Sequence, residues 1–128
     1  MQNFIVWDKK QPDGVTFAQA ELAATNLPGK SKIFRGVARS RFPRIHPTQK
    51  PVALYEWLFD NFAPAGGTVL DTHLGSGSSA LVAFKRDVQF VGIEINPEYY
   101  NAAKERFAAY ANFPACLKPI ELPDDLKL

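Results

Sequence analysis

The sequence predicts an α/β fold in which helices lie on both faces of a parallel sheet. Residues 68–100 give, in order, a short apolar strand, a Gly-Ser-Gly turn, an amphipathic helix, a second apolar strand and an acidic residue. This is the order of a βαβ unit, whose ligand crevice lies at the carboxyl ends of its strands. Two further β-rich runs, at 3–7 and 32–37, predict strands outside this unit.

The Gly-Ser-Gly turn at 75–77 is the first candidate for ligand contact, because glycine lets the backbone approach a ligand without a Cβ in the way. Ser78 or Ser79 is expected to cap the helix that follows. Glu94 follows at about the distance where such folds place the acid that holds a ribose, which predicts a nucleoside-containing cofactor. Ala80 replaces the third glycine of the dinucleotide fingerprint. On these residues alone, a dinucleotide site and a purely structural turn both stay open.

Length and composition limit the alternatives. The 128 residues, 46% of them hydrophobic, make one domain of ordinary size or part of a larger one. No apolar run approaches the length of a membrane span, and the N-terminus lacks the features of a secretory signal, so a cytoplasmic location without membrane contact is expected. The one cysteine, Cys116, has no partner for a disulfide and no companions for a metal site. Neither redox nor metal chemistry is predicted.

Basic residues are concentrated between Lys30 and Lys50, where seven of the fifteen lysines and arginines lie without any acidic residue. Such a run is compatible with a solvated face. It is also the composition of a segment that follows DNA phosphates, where each neutralised phosphate releases a counterion. We expect double-stranded DNA as a partner, and the candidate contacts are Arg35, Arg39, Arg41 and Arg44.

Three further segments have local signals for secondary structure. Residues 17–25 predict a short helix or a mixed segment, and 52–62 carry apolar residues at helical spacing. Asn96 is a good N-cap with Pro97 at the first helical position, which predicts a helix that runs to about Ala111.

Two motifs identify a family resemblance. Asp-Thr-His-Leu-Gly-Ser-Gly-Ser-Ser at 71–79 resembles the S-adenosylmethionine motif of the DNA amino-methyltransferases, which modify adenine N6 or cytosine N4. His-Pro-Thr-Gln-Lys-Pro at 46–51 is similar, residue for residue, to the other cofactor-side motif of that family. The resemblance covers about residues 3–110 and is strongest to the beta-type, phage and prophage branch of these site-specific enzymes. It implies the Rossmann-like, doubly wound sheet of the S-adenosylmethionine methyltransferases.

The resemblance also implies which residues contact the cofactor. Glu94 would bridge the ribose hydroxyls, and the loop with Thr48 and Lys50 would lie beside the carboxylate of the methionine end. Asp71 would face the methionine ammonium or hydrogen-bond the glycine turn, and His46 would hold its own loop by a hydrogen bond. The full implied set is Thr48, Lys50, Asp71, His73, Gly75, Ser76, Gly77, Ser78, Glu94 and Ile95.

The catalytic motif of the family, Asp-Pro-Pro-Tyr or Asn-Pro-Pro-Tyr, occurs nowhere in the sequence, so no catalytic residue is assigned. The most similar stretch, Asn-Pro-Glu-Tyr at 96–99, is explained by the start of a helix. The resemblance therefore implies the C-terminal, cofactor-binding half of the enzyme and an incomplete sheet, with adenine favoured over cytosine. The alternative is a catalytically inactive DNA-binding or cofactor-binding fragment, or a subunit that needs a second chain to supply the motif. The expected partners besides DNA are a second copy, in a homodimer, or this second chain.

The resemblance divides the chain into a DNA-facing, target-recognition part at 1–50, a cofactor-binding βαβ part at 51–113 and a C-terminal tail at 114–128.

Overall fold

The computed structural model describes residues 2–38 and 43–112 and shows two compact units, Met1–Arg39 and Ser40–Leu128. Each unit is described by itself. Two of the predicted DNA contacts, Arg39 and Arg41, lie outside the described residues, as does the predicted tail at 114–128.

The first unit is a three-stranded sheet of β1 (Asn3–Asp8), β2 (Ala20–Thr25) and β3 (Lys32–Arg35) in the order β2-β1-β3. The central strand β1 is antiparallel to β2 and parallel to β3. Trp7 is buried on this strand, and its indole N–H donates to the carbonyl of Gly36 at 2.8 Å. The strands predicted for 3–7 and 32–37 are confirmed, with slightly different ends.

Of the two predictions for 17–25, the short helix is wrong, because Ala20–Thr25 is a strand. The sequence Ala-Glu-Leu-Ala-Ala has strong local helix propensity. All six residues of β2 are paired with β1, from Asp8 opposite Ala20 to Asn3 opposite Thr25. Pairing with a neighbouring strand has therefore overridden the local preference.

The second unit contains α1 (Val52–Phe62), β4 (Thr68–Asp71), α2 (Ser78–Lys85), β5 (Gln89–Gly92) and α3 (Pro97–Ala111). Strands β4 and β5 are parallel neighbours and are connected through α2, as the predicted βαβ unit requires. Two backbone hydrogen bonds continue the pairing past the strand ends, from Ile93 N–H to Asp71 and from Leu74 N–H to Ile93. The glycine turn and Glu94 therefore lie at the same end of this sheet.

The core of the second unit lies between its helices and one face of β4 and β5. Val69 and Phe90 pack against this core, whereas Leu70 and Val91, which point to the opposite face, are 60% and 52% exposed. Within the described residues, helices thus cover one face of this sheet, and the expected cover of both faces is not seen. The buried cluster consists of Val52, Phe59, Leu81, Val82, Ala83 and Tyr110.

The two helices that follow the strands begin differently. Asn96 caps α3, since its side-chain oxygen accepts the backbone N–H groups of Glu98 and Tyr99 at 2.9 and 3.3 Å, and this prediction is confirmed. The cap residue of α2 is Gly77, with a φ of +77°, and it makes no side-chain capping bond. The predicted serine cap is wrong because Ser78 and Ser79 already lie inside the helix.

Candidate cofactor site

A cavity of about 320 Å³ opens in the second unit at the carboxyl ends of β4 and β5. Small-molecule sites commonly have volumes of about 300–1,000 Å³, so this cavity is large enough for a ligand of nucleoside size. It is lined by His46, Thr48, Lys50, Tyr55, His73, Leu74, Gly75, Ser76 and Glu94.

The Glu94 carboxylate is fixed by backbone N–H groups on both of its oxygens. Asn96 N–H donates to Oε1 at 3.0 Å and Gly75 N–H donates to Oε2 at 2.9 Å. Both bonds lower the pKa of Glu94 below its ordinary value, and the bond from Asn96 has the larger effect. Together they outweigh burial, which by itself would raise this pKa. The cavity thus presents an ionised carboxylate whose remaining lone pairs can accept ligand hydroxyls.

The glycine turn needs glycine for two separate reasons. Gly75 and Gly77 have φ values of +56° and +77°, in the left-handed region that side chains disfavour. A Cβ on Gly77 would also lie 3.3 Å from the Cβ of Ala103 on α3, which is a crowded contact. A Cβ on Gly75 would lie 3.7 Å from the His46 ring. The turn is therefore pressed against α3 at Gly77 and meets the 46–50 loop at Gly75.

Both carboxylate oxygens of Asp71 accept hydrogen bonds from residues that flank the glycine turn. Its Oδ1 accepts the backbone N–H of His73 at 3.0 Å, and its Oδ2 accepts the Ser79 hydroxyl at 2.6 Å. These bonds join Asp71 to residues on the two sides of the Gly75–Gly77 turn rather than to the turn itself, and its role toward the methionine ammonium stays a prediction.

The loop at 46–50 is held mainly by bonds within itself. His46 Nδ1 lies 3.2 Å from the Thr48 backbone nitrogen, which donates to it, and the Gln49 N–H donates to the His46 carbonyl. The side chain of Gln49 is buried and accepts the Ile45 N–H. The His46 ring meets the ring of Tyr99 edge-on, with centroids 4.3 Å apart. His46 thus holds its own loop by a hydrogen bond, as predicted.

The structure brings together most of the predicted cofactor residues. Six of them line the cavity: Thr48, Lys50, His73, Gly75, Ser76 and Glu94. Asp71, Gly77 and Ser78 are not among the residues that line the cavity. Asp71 is bonded to His73 and Ser79, Gly77 lies against Ala103, and Ser78 donates to the Lys50 carbonyl. Ile95 follows Glu94 and is 97% exposed.

The two described DNA candidates are surface residues. Arg35 lies on β3 in the first unit, with its Nε 3.7 Å from Asp8 Oδ2, and Arg44 is exposed in the second unit. Both remain predicted DNA contacts.

The sequence did not single out two residues that line the cavity, Tyr55 and Leu74, or Arg106, which contacts the glycine turn from outside the cavity. Arg106 Nη1 donates to the Ser76 carbonyl and to the Ser78 hydroxyl, both at 2.9 Å. Burial lowers the pKa of Arg106, although a guanidinium stays protonated at neutral pH. Arg106 lies in the middle of α3. Nothing in the sequence around it indicates a bond to the glycine turn, thirty residues earlier.

The part of the chain that the structure describes contains no helix that is both long and apolar enough to cross a membrane. Among the same residues, no group of three or more His, Cys, Asp or Glu side chains could hold a metal ion.

Comparison with known proteins identifies the family. The model of the DNA methylase family, which groups N6 and N4 methyltransferases, matches residues 4–105. The chain belongs to the DNA methylase family. The predicted resemblance to DNA amino-methyltransferases is confirmed at this level, and the beta-type, phage-like and C-terminal details stay predictions.

Curated relatives of this DNA methylase chain include two type II methyltransferases. M.ScaI from Streptomyces caespitosus is 40% identical over 81 residues, which are 62% of this chain and 27% of that protein. M.HpaI from Haemophilus parainfluenzae is 43% identical over 67 residues, which are 52% of this chain and 21% of that protein. The matches thus span less than a third of each relative.

Solved structures of DNA methylases confirm the Rossmann-like fold. The complex of M1.HpyAVI with S-adenosylmethionine has a TM-score of 0.63 and 26% identity, over 81% of this chain and 60% of that one. A DNA modification methylase of Thermus thermophilus, TTHA0409, has a TM-score of 0.56 and 28% identity, over 83% of this chain and 52% of that one.

Proposed function

We propose that this chain is the cofactor-binding part of a site-specific DNA amino-methyltransferase and that its cavity binds S-adenosylmethionine. The observation that carries the proposal is the Glu94 carboxylate, which two backbone N–H groups hold ionised at the cavity beside the glycine turn. Support comes from M1.HpyAVI, which was solved with S-adenosylmethionine and matches four-fifths of this chain.

The cavity offers groups suited to both ends of the cofactor. An ionised carboxylate only accepts hydrogen bonds, so Glu94 suits the two ribose hydroxyls, which donate them. The open backbone at Gly75 and Ser76 allows close approach of the ligand. The Thr48 hydroxyl and the Lys50 ammonium suit the methionine carboxylate. When bound, S-adenosylmethionine supplies a sulfonium-activated methyl group.

The acceptor that we propose is the exocyclic amino group of a flipped base in double-stranded DNA, adenine N6 in preference to cytosine N4. Such enzymes must hold a flipped base in a pocket next to the cofactor. The Asp-Pro-Pro-Tyr motif that serves this purpose in the family is absent from these 128 residues. Our proposal is that a second, different chain supplies this pocket, and that the isolated chain binds the cofactor without turnover.

Ligand preference tests the proposed cofactor. Isothermal titration of the chain should show one-to-one binding of S-adenosylmethionine and of S-adenosylhomocysteine, and weaker or no binding of NAD⁺. All three ligands contain ribose, whereas only the two adenosyl ligands carry an amino-acid end, which NAD⁺ lacks. Preference for NAD⁺, or no binding of either adenosyl ligand, would refute the assignment.

Duplex binding tests the proposed DNA contacts of Arg35, Arg39, Arg41 and Arg44. Each phosphate contact removed should lower the slope of log affinity against log salt by about 0.9. We expect the double substitution of Arg41 and Arg44 by alanine to reduce the slope by about two such steps. Lys104→Ala, on an exposed position of α3, is the matched control and should leave the slope unchanged. An unchanged slope in the double variant would make the basic run a solvated face.

Transfer of a tritiated methyl group to unmethylated DNA tests the division of labour. The proposal expects no turnover by the purified chain and turnover once a chain carrying the missing motif is added. Methylation by the chain alone would show that it builds a base pocket from other residues. A cytoplasmic location is part of the proposal, because the enzyme has to reach its DNA.

A further inference from the structure

We propose that Arg106 is a positioning residue of the cavity, which fixes the backbone of the glycine turn in the arrangement that receives the cofactor and, through Ser78, ties the turn to the carbonyl of Lys50 at the end of the 46–50 loop. The inference rests on the proposed cofactor function, and it adds a residue that lies outside the cavity and acts through the groups that line it.

The first observation is the pair of bonds on neighbouring residues of the turn. Glu94 accepts the N–H of Gly75, and Arg106 donates to the carbonyl of Ser76, each at 2.9 Å. Glu94 and Arg106, which make these two bonds, both lie in the short segment 94–106, which includes the first ten residues of α3. This segment therefore holds the turn at two consecutive residues, and the orientation of the peptides that line the cavity is fixed.

The second observation is that Ser78 connects Arg106 to the loop at 46–50 by two hydrogen bonds. The Ser78 hydroxyl accepts from Arg106 Nη1 and donates to the Lys50 carbonyl, both at 2.9 Å. Ser78 is 2% exposed, so water does not compete for these bonds. A bond from a charged donor at a buried site is stronger than a neutral one and more costly to lose. Arg106 thus anchors, through Ser78, the Lys50 carbonyl at the end of the 46–50 loop.

The third observation is the packing of α3. Ala103 lies three residues before Arg106 on the same helical face and is 3% exposed. It lies so close to Gly77 that an added Cβ would stand 3.3 Å from its own. The helix therefore brings the guanidinium within reach of the turn only because a glycine and an alanine meet there. Lys104 and Glu105, which lie between Ala103 and Arg106 in the sequence, are exposed and do not face the turn.

The test compares variants of the full chain in titrations with S-adenosylhomocysteine. Arg106→Met keeps much of the apolar stem and removes the donors, and we expect it to lose about ten- to a hundredfold in affinity. Arg106→Lys restores a charged donor on a similar stem and should recover part of this loss. Lys104→Met, which makes the same change on the exposed face of α3, should bind as the wild type does.

A second control separates positioning from general destabilisation. Phe59→Leu enlarges a core space in α1 away from the cavity and should lower the unfolding temperature without a loss of affinity. Equal affinities of Arg106→Met and wild type would overturn the proposal. So would an affinity loss in Phe59→Leu as large as that in Arg106→Met, or an Arg106→Lys variant that binds no better than Arg106→Met.

Amide hydrogen exchange of the ligand-free chain decides the inference even if the wild type binds no adenosyl ligand and the proposed function fails. The N–H groups of Gly75 and Gly77 are bonded to Glu94 and Leu74. Their exchange should accelerate in Arg106→Met, whereas exchange in α1 should not. Unchanged protection of both amides, or equal loss throughout the unit, would refute a positioning role.

Discussion

Two walls of the cavity, the glycine turn at 75–77 and the loop at 46–50, are held in place by different kinds of contact. The glycine turn is held by residues far away in the chain, because Glu94 and Arg106 lie 19 and 30 residues from the groups that they bond. The loop at 46–50 is held mainly by bonds within residues 43–50. Its contacts with distant residues include the bond from Ser78 to the Lys50 carbonyl and the ring contact between His46 and Tyr99. The turn should therefore be preorganised before the ligand arrives, whereas the loop can adjust to it.

This difference assigns different tasks to the two walls. A preorganised wall gives affinity at little cost in ordering, so the adenosine half of the proposed cofactor should provide most of the binding energy. An adjustable wall suits the methionine half, which changes when the methyl group leaves. The loop should tighten around the ligand, and the turn should change little.

The largest effect is expected from removing the acid of the preorganised wall. Glu94→Ala loses the acceptor for the ribose hydroxyls and also releases Gly75 N–H and Asn96 N–H, so affinity for S-adenosylhomocysteine should fall about tenfold or more. Isothermal titration measures it. The matched control is Glu105→Ala, on an exposed position of α3, and it should bind normally. Equal binding by Glu94→Ala and wild type would remove Glu94 from the site.

Substitution in the turn should have the next largest effect. Gly77→Ala and Gly66→Ala both place a side chain at positive φ, +77° and +70°, which costs about 1–2 kcal/mol of stability in urea unfolding. Only at Gly77 would the new methyl group meet Ala103, whereas nothing lies within 4 Å at Gly66. We expect both variants to lose stability and only Gly77→Ala to lose cofactor affinity. Equal affinity loss in both would show that strain alone is responsible.

The lowered pKa of Glu94 predicts how the preorganised wall responds to acid. Because the folded pKa lies below the unfolded one, the carboxylate stabilises the fold fully above the ordinary glutamate pKa, and this contribution is lost as the pH falls through the folded value. The stability difference between wild type and Glu94→Gln should therefore be constant from about pH 7 to 5 and shrink below that range. Urea unfolding at a series of pH values measures it. A difference that shrinks between pH 7 and 5 would contradict the direction of the shift.

The smallest effect is expected in the adjustable wall. His46→Ala removes the acceptor of the Thr48 N–H and the ring contact with Tyr99, both at a partly exposed site, so affinity should change by less than about fivefold. His46→Asn keeps an acceptor that can form an Asx turn to residue 48 and should bind like the wild type. A loss greater than that of Gly77→Ala would mean that the loop, too, is preorganised.

Local signals predicted much of the second unit. The glycine turn, Glu94 and the Asn96–Pro97 helix start each depend on a few adjacent residues, and the structure places all three at one end of the sheet. The same local logic was wrong for β2, since only pairing with β1 makes a strand of an alanine-rich segment. It was also wrong for the cap of α2, because the left-handed Gly77 occupies the cap position.

The role of Arg106 could not be predicted for a different reason. Its two bonds depend on the contact between Gly77 and Ala103, which are 26 residues apart and carry no pattern that links them. The same holds for the bond from Ser78 to Lys50. Sequence motifs indicate which groups line a ligand cavity, whereas the groups that fix them in place become visible only when the helices pack.

Amide hydrogen exchange with and without S-adenosylhomocysteine tests the contrast between the two walls most directly. In the free chain, the Gly75 and Gly77 amides should exchange slowly and those of Thr48 and Lys50 faster. Saturating ligand should add protection mainly at 46–50 and leave the turn nearly as it was. Slow exchange of the loop in the free chain, or a ligand-induced gain in protection that is greater in the turn than in the loop, would contradict the account.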